Sequence, residues 1–152
     1  MSSRWGRLLA LAALVAAPAE AQQARELGIL ALGTASDPAF AGAGLYAGWR
    51  ASSRVRLSAA AGLGGADGRT AWRGELLAHF LLAPGAGRGI GGYGAGGVAV
   101  VAGPVDQGYL VLTLGAETRP GASAGWFVEA GVGGGARLAV GFRRRWFSRP
   151  GR

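Results

Sequence analysis

The chain has 152 residues, of which 16 are basic and eight acidic, so its formal net charge is +8 at neutral pH. It contains no cysteine, which excludes disulfide bonds and thiol chemistry. The basic residues are all arginine, and most of them alternate with apolar residues or lie in turns. Because no contiguous basic helix and no nucleic-acid module is recognisable, we expect no nucleic-acid partner.

The first 21 residues have the pattern of an export signal. Two arginines precede the apolar stretch Leu8–Ala17, and Ala19-Glu20-Ala21 places small residues where a signal peptidase cleaves. The apolar stretch is too short for a membrane-spanning helix, which needs about 20 residues. The sequence therefore predicts a signal peptide at residues 1–21 and one mature domain at residues 22–152.

Eight segments that lie between turn signals have the pattern of β-strands. The breaks contain residues that favour turns, such as Asp67-Gly68, Pro84-Gly85 and Pro120-Gly121. The segment lengths suit the roughly 9–11 residues with which a tilted strand crosses a bilayer, and the short connections favour antiparallel neighbours. The segments are Arg25–Ala35, Ala39–Arg50, Arg54–Gly64, Thr70–Leu82, Ile90–Val101, Gln107–Thr118, Ser123–Gly133 and Ala136–Trp146.

Alternation of apolar and polar residues is clearest in the last three segments. In the sixth, Leu110, Leu112 and Leu114 share one face, while Thr113 and Glu117 lie on the other. This pattern suits a sheet with lipid outside and a polar lumen inside, and only helices and closed barrels satisfy their backbone hydrogen bonds in lipid. We therefore predict an all-β protein, an eight-stranded antiparallel up-and-down transmembrane β-barrel that follows the signal peptide. The facing of residues 90–101 stays open, because glycine occupies both sets of positions.

Charges and aromatic residues distinguish the two ends of this predicted barrel. With the N-terminus in the periplasm, the first, third and fifth connections face outside, and these hold Asp37, Asp67 and Asp106. The connections at the other end are rich in arginine. Aromatic rings near strand ends are typical of membrane interfaces. The predicted interface aromatics are Trp49, Phe80, Tyr93, Trp126 and Trp146 at the periplasmic rim and Trp72 at the outer rim.

The positions that alternate with the apolar set carry charge and predict a charged lumen. An eight-stranded barrel has an interior just wide enough for side chains, and an unpaired charge there is costly, so arginines and glutamates should pair. Pairing of the last two strands brings Glu129 near Arg137 and Arg143, which favours an ionic plug. The predicted lumen charge network consists of Arg54, Arg56, Arg73, Glu75, His79, Glu117, Glu129, Arg137 and Arg143.

The signal, the eight alternating strands and the final strand Ala136–Trp146, which is rich in arginine and aromatic residues and is followed by Phe147, resemble those of small bacterial outer-membrane barrels of the OmpA-barrel and OmpX type. The resemblance implies a porin-like fold in the outer membrane of a Gram-negative bacterium, with membrane lipids and the outer-membrane assembly machinery as partners. We expect a structural or interaction role. Two alternatives stay open: a narrow solute channel, and a secreted soluble barrel whose apolar faces turn inward around an apolar ligand.

Catalysis would have to use His79, the only histidine. Some small outer-membrane barrels are lipid-A-modifying hydrolases with a serine two residues after the histidine, but Leu81 stands at that position here. An internal set of Ser58, His79 and Glu75 is conceivable, because nucleophile, base and orienting acid can come from adjacent strands. The glycine motif Gly92–Gly97 lacks the helix that dinucleotide binding requires, and one histidine with scattered acids lacks metal-ligand spacing. We therefore expect no enzyme, no metal and no cofactor.

Overall fold

A computed structural model describes residues 24–104 and 106–148, where the chain forms eight β-strands. Each strand pairs antiparallel with the next, and β1 pairs with β8, so the sheet closes into a barrel. The strands are β1 (Ala24–Ala35), β2 (Phe40–Arg50), β3 (Val55–Ala66), β4 (Arg69–Leu81), β5 (Ile90–Ala102), β6 (Gln107–Thr118), β7 (Ala124–Val132) and β8 (Ala136–Phe147). The predicted fold class is confirmed, while the predicted signal peptide lies outside the described residues. Within those residues there is no helix of the length and apolarity needed to cross a membrane.

Side chains alternate between the outside and the lumen of the barrel, as the period of two predicts. On β6, Leu110, Leu112 and Leu114 are 80, 65 and 75% exposed, whereas Thr113 and Glu117 are buried. Leucine, isoleucine, valine and tryptophan continue this exposed belt around the barrel. The inverted facing of a soluble ligand-binding barrel is therefore wrong for this chain, since charged side chains occupy its interior.

The glycine-rich strand β5, whose facing the sequence left open, turns Tyr93 and Ala99 inward and Val98 and Val100 outward. Tyr93 is only 2% exposed, so its prediction as an interface aromatic is wrong. Its ring covers Gly115, the residue paired with it on β6, where an added Cβ would lie 2.3 Å from the tyrosine Cζ. A glycine on the neighbouring strand thus provides the space for an inward-facing ring.

The two ends of the barrel differ in charge. The terminal end is where β1 begins and β8 ends, and the loop end is opposite. The turns of the loop end contain Asp37, Asp67 and Asp106. Asp67 and Gly68 connect β3 to β4 with φ values of 51° and 70°, the left-handed conformation that a tight two-residue hairpin requires. The exposed arginines of the terminal end are Arg25, Arg54, Arg88, Arg119 and Arg144.

Large exposed aromatic side chains mark both rims. Trp49, Phe80, Trp126 and Trp146 point outward near the terminal end, and Trp72 points outward near the loop end. Each is close to the end of its strand, so the rings flank the aliphatic part of the belt, an arrangement that matches the aromatic girdles of membrane barrels.

Candidate functional site

The lumen is the candidate site, because the buried charged side chains of the described residues lie there. Eight members of the predicted network face inward and are buried, and they are joined by Glu26, Arg50 and Arg145, which the predicted network omitted. Arg54 is the exception. It is exposed, because β3 begins only at Val55 and the alternation of that strand does not extend into the turn. Its place in the predicted network is therefore wrong.

Near the loop end, two arginines and two glutamates form a balanced group, the loop-side cluster (Arg73, Glu75, Glu129 and Arg137). Arg137 donates to both carboxylate oxygens of Glu75, from Nε at 3.0 Å and from Nη2 at 2.6 Å. Its Nη1 donates to Glu129 Oε2 at 2.9 Å. Arg73 completes the group by donating from Nε to Glu75 Oε1 at 2.9 Å and from Nη2 to the backbone oxygen of Gly133 at 2.9 Å. Bidentate guanidinium–carboxylate pairs of this kind are strong and directional.

Near the terminal end, the charge is unbalanced. Two glutamates meet four arginines in the terminal-side cluster (Glu26, Arg50, Arg56, Glu117, Arg143 and Arg145). Glu117 Oε2 accepts from Arg143, from Arg145 Nη2 at 2.7 Å and from Arg56 Nη1 at 3.2 Å. The carboxylate of Glu26 lies 3.4–3.7 Å from guanidinium nitrogens of all four arginines.

The excess guanidinium groups donate to turns that fold across the terminal end. Arg50 donates to the backbone oxygens of Pro84 at 3.2 Å and of Pro120 at 2.8 Å. Arg145 donates to the backbone oxygens of Arg119 at 3.2 Å and of Ala122 at 3.1 Å. Because carbonyl dipoles accept these donors, the turns after β4 and β6 are held over the lumen and narrow its terminal end.

Two tyrosines join the clusters. Tyr93 donates to Glu129 Oε1 at 2.9 Å, and the Arg56 guanidinium lies 4.8 Å from the centre of its ring. Tyr46 donates to Glu26 Oε2 at 3.4 Å and accepts from Arg143 Nη1 at 3.2 Å. The sequence did contain a signal for these two rings: each tyrosine lies opposite a glycine on the neighbouring strand. This signal was not used in the prediction of either tyrosine.

The internal set of Ser58, His79 and Glu75 does not form a catalytic triad. Ser58 Oγ lies 2.7 Å from His79 Nε2, but the other ring nitrogen lies 3.2 Å from the Arg56 guanidinium. A guanidinium only donates, so Nδ1 must accept and Nε2 must carry the proton, which it donates to the serine. This tautomer leaves the histidine without a lone pair to activate the hydroxyl, and Glu75 is bound to arginines. The described residues contain no group of three or more His, Cys, Asp or Glu able to hold a metal ion.

The lumen side chains leave little space between them. One cavity of about 20 Å³ lies beside Leu30, Phe40 and Glu75, and another of about 10 Å³ lies beside Tyr46, Ser58 and Glu75. Each is comparable to the volume that one water molecule needs, about 10–15 Å³. The described lumen is thus largely filled by its own charged and aromatic groups.

Comparison with known proteins finds similarity of structure alone. No protein-family model matches the sequence, and no curated protein matches it significantly. The N-terminal β-barrel domain of Pseudomonas aeruginosa OprF superposes with a TM-score of 0.61 at 14% identity, covering 83% of this chain and 98% of that one. The outer membrane protein OprG of Pseudomonas aeruginosa superposes with a TM-score of 0.59 at 12% identity, covering 84% and 97%. The chain therefore has the closed eight-stranded fold of these outer-membrane β-barrels.

Proposed function

We propose that this chain is a bacterial outer-membrane β-barrel with a structural or interaction role and without catalytic activity. The observation that carries the proposal is the facing of the strands. An apolar belt surrounds the barrel, while ten arginine and glutamate side chains of the described residues are buried inside. Typical soluble monomers expose contiguous apolar patches of about 300–600 Å², and a belt that encircles a barrel suits acyl chains instead.

The distribution of charge supports one orientation in the membrane. The aspartates lie in the turns of the loop end, whereas five of the six exposed arginines among the described residues are at the terminal end; the sixth, Arg69, begins β4 at the loop end. In single-chain outer-membrane barrels, which have an even number of strands, both chain termini face the periplasm. The terminal end, with its arginines, is accordingly the periplasmic side in this proposal.

The packed lumen supports a role in which the barrel neither conducts solutes nor catalyses a reaction. Ion pairs cross the interior at two levels, and the two cavities beside Glu75 measure only about 20 and 10 Å³. The histidine tautomer opposes activation of Ser58. Because the lumen is filled, the surfaces available for interaction are the outer wall of the barrel and its two ends.

Single cysteines test the membrane location, because the native chain has none. We expect Leu112→Cys to react with a thiol reagent dissolved in the hydrocarbon phase of vesicles and Val111→Cys, its inward-facing neighbour, to be protected. Purified protein should also migrate differently in gels before and after boiling. Equal labelling of both cysteines, or recovery of the protein only from the soluble fraction, would overturn the location.

The packed interior is tested by planar-bilayer recording and by ester hydrolysis assays on the same preparation. We expect neither steady conductance nor turnover. Steady ion-selective currents would favour the narrow channel instead. An esterase activity that disappears in His79→Ala would replace the structural role with a catalytic one.

Membrane lipids and the outer-membrane assembly machinery are the proposed partners. Strand β8 ends in Trp146 and Phe147, and Phe147 pairs with Ala24 where the barrel closes. We expect Phe147→Ala to slow the appearance of the heat-modifiable form in vesicles that contain the assembly machinery. An unchanged rate would remove the machinery from the list of partners.

A further inference from the structure

A groove on the outer wall of the barrel combines positive charge with two indole rings. It lies at the terminal end, has a volume of about 630 Å³, and is lined by Arg25, Leu27, Ala47, Trp49 and Trp146 among others. In the sheet, Arg25 on β1 pairs with Trp49 on β2 and with Trp146 on β8, so an exposed guanidinium stands between two tryptophans.

A second exposed arginine belongs to the same surface. Arg144 lies two residues before Trp146 on the outward face of β8 and pairs with Leu27, which places it diagonally next to Arg25. Diagonal neighbours on adjacent strands are about 7–8 Å apart. Two long arginine side chains at this spacing can converge on a single phosphate group.

Neither guanidinium is neutralised by the barrel. Among the described residues, Arg25 and Arg144 have no acidic partner within salt-bridge distance. The described glutamates are all buried in the lumen, and the aspartates are at the loop end. Glu26 also lines the groove, but its side chain is buried and its carboxylate is paired with arginines in the lumen. The surface therefore presents positive charge at the level of the aromatic rim without an exposed carboxylate.

We propose that this groove, the Arg25–Arg144 site, binds an anionic phospholipid such as phosphatidylglycerol from the membrane leaflet at the terminal end. The site rests on the proposed function, because it requires the barrel to span a membrane. Arginine matches phosphate because its planar fork donates two parallel hydrogen bonds. The two indoles are amphipathic groups that favour the headgroup level, and Leu27 and Ala47 provide an apolar floor for the start of an acyl chain.

The charge of the site selects the class of lipid. Phosphatidylglycerol has one phosphate and a neutral polar head, so both guanidinium groups act on a net negative charge. A zwitterionic head brings an ammonium or choline cation into the same groove, where Arg25 and Arg144 repel it. Each arginine near an anionic interface favours binding by about fivefold, and we expect the double variant to lose most of the preference.

Quenching of tryptophan fluorescence by brominated lipids reports on this groove directly. Replacing Trp72 and Trp126 with phenylalanine in the mature chain leaves Trp49 and Trp146 as the reporters. We would compare quenching by brominated phosphatidylglycerol and brominated phosphatidylcholine in mixed vesicles. The double variant Arg25→Gln/Arg144→Gln would be tested against Arg88→Gln/Arg119→Gln, which removes the same charge from exposed turns at the same end. Gel mobility before and after boiling would verify that each variant folds.

The expected result is a preference for phosphatidylglycerol of fivefold or more in the parent and in the turn variant, and a preference near one in Arg25→Gln/Arg144→Gln. An unchanged preference in that variant would overturn the site, and an equal loss in the turn variant would show diffuse attraction to the arginine-rich end instead. Failure of the proposed function has a different signature, because a barrel that stays out of the bilayer is quenched by neither lipid.

Discussion

Replacing Arg137 with glutamine removes the guanidinium that joins the two acids of the loop-side cluster. Arg137 makes three hydrogen bonds of 2.6–3.0 Å, two with Glu75 and one with Glu129. After the substitution, Arg73 is the one cation left among the four residues of this cluster, beside two carboxylates. Because these groups are buried, water can compensate little of the lost charge.

The expected loss of unfolding free energy is about 3–5 kcal/mol, the usual cost of removing one partner from a buried ion pair. The double variant Glu129→Gln/Arg137→Gln restores the balance, since Arg73 and Glu75 remain paired at 2.9 Å. We therefore expect the double variant to be more stable than Arg137→Gln alone, with a coupling free energy of roughly 0.5–3 kcal/mol, as is usual for residues in direct contact.

Urea unfolding of the barrel in lipid vesicles, followed by gel mobility of the folded form, measures both quantities. Arg54→Gln is the matched control, because this arginine is exposed in the turn before β3 and surface substitutions usually change stability by less than about 0.5 kcal/mol. The reasoning would be refuted if Arg137→Gln were as stable as the control, or if the effects of the two substitutions were simply additive.

Three further substitutions test the facing and the packing of the barrel by the same urea unfolding assay. Gly115→Ala should lose about 1–3 kcal/mol through overpacking, because the added Cβ would lie 2.3 Å from the Tyr93 ring; an unchanged midpoint would mean that the ring is not held there. Leu112→Arg places a charge in the middle of the lipid-facing belt and should cost about 2–4 kcal/mol, so a neutral effect would contradict the outward facing. Ser58→Ala should cost about 1–3 kcal/mol, because it leaves the His79 Nε2 proton unpaired; an equal midpoint for this variant and the parent would contradict the assigned tautomer.

Much of the fold could be predicted because a β-strand and its turns are encoded by residues that are close together in the sequence. Alternation over Gln107–Thr118 predicts a strand and identifies its two faces, and Asp67-Gly68 predicts the tight turn that the φ values of these residues then show. Short connections leave antiparallel neighbours as the simple arrangement. Alternation did not identify the two faces of β5, because glycine occupies both of them. Tyr93 was therefore predicted to face outward at the membrane interface, whereas it faces the lumen.

The sequence predicted which residues face the lumen, but not which of them form ion pairs with one another. Alternation alone identified Arg137 and Glu129 as inward-facing, and the two residues do pair at 2.9 Å. Arg143 was expected near Glu129 as well, yet it binds Glu117 on β6. Alternation also predicted that Arg54 faces inward, although this residue lies in the turn before β3. It did not identify Glu26, because Leu30 and Leu32 on the same strand also face inward and obscure the polar pattern.

The sequence by itself determined the number of strands, their order and, for most of them, the face that each side chain takes, since these depend on a two-residue period and on turn chemistry. Only the tertiary structure decided which charges meet across the barrel. Arg137 and Glu75 are 62 positions apart in the chain, and their contact depends on the tilt and stagger that closure of eight strands imposes. That stagger is a property of the whole ring of hydrogen bonds, so no single segment of the sequence encodes it.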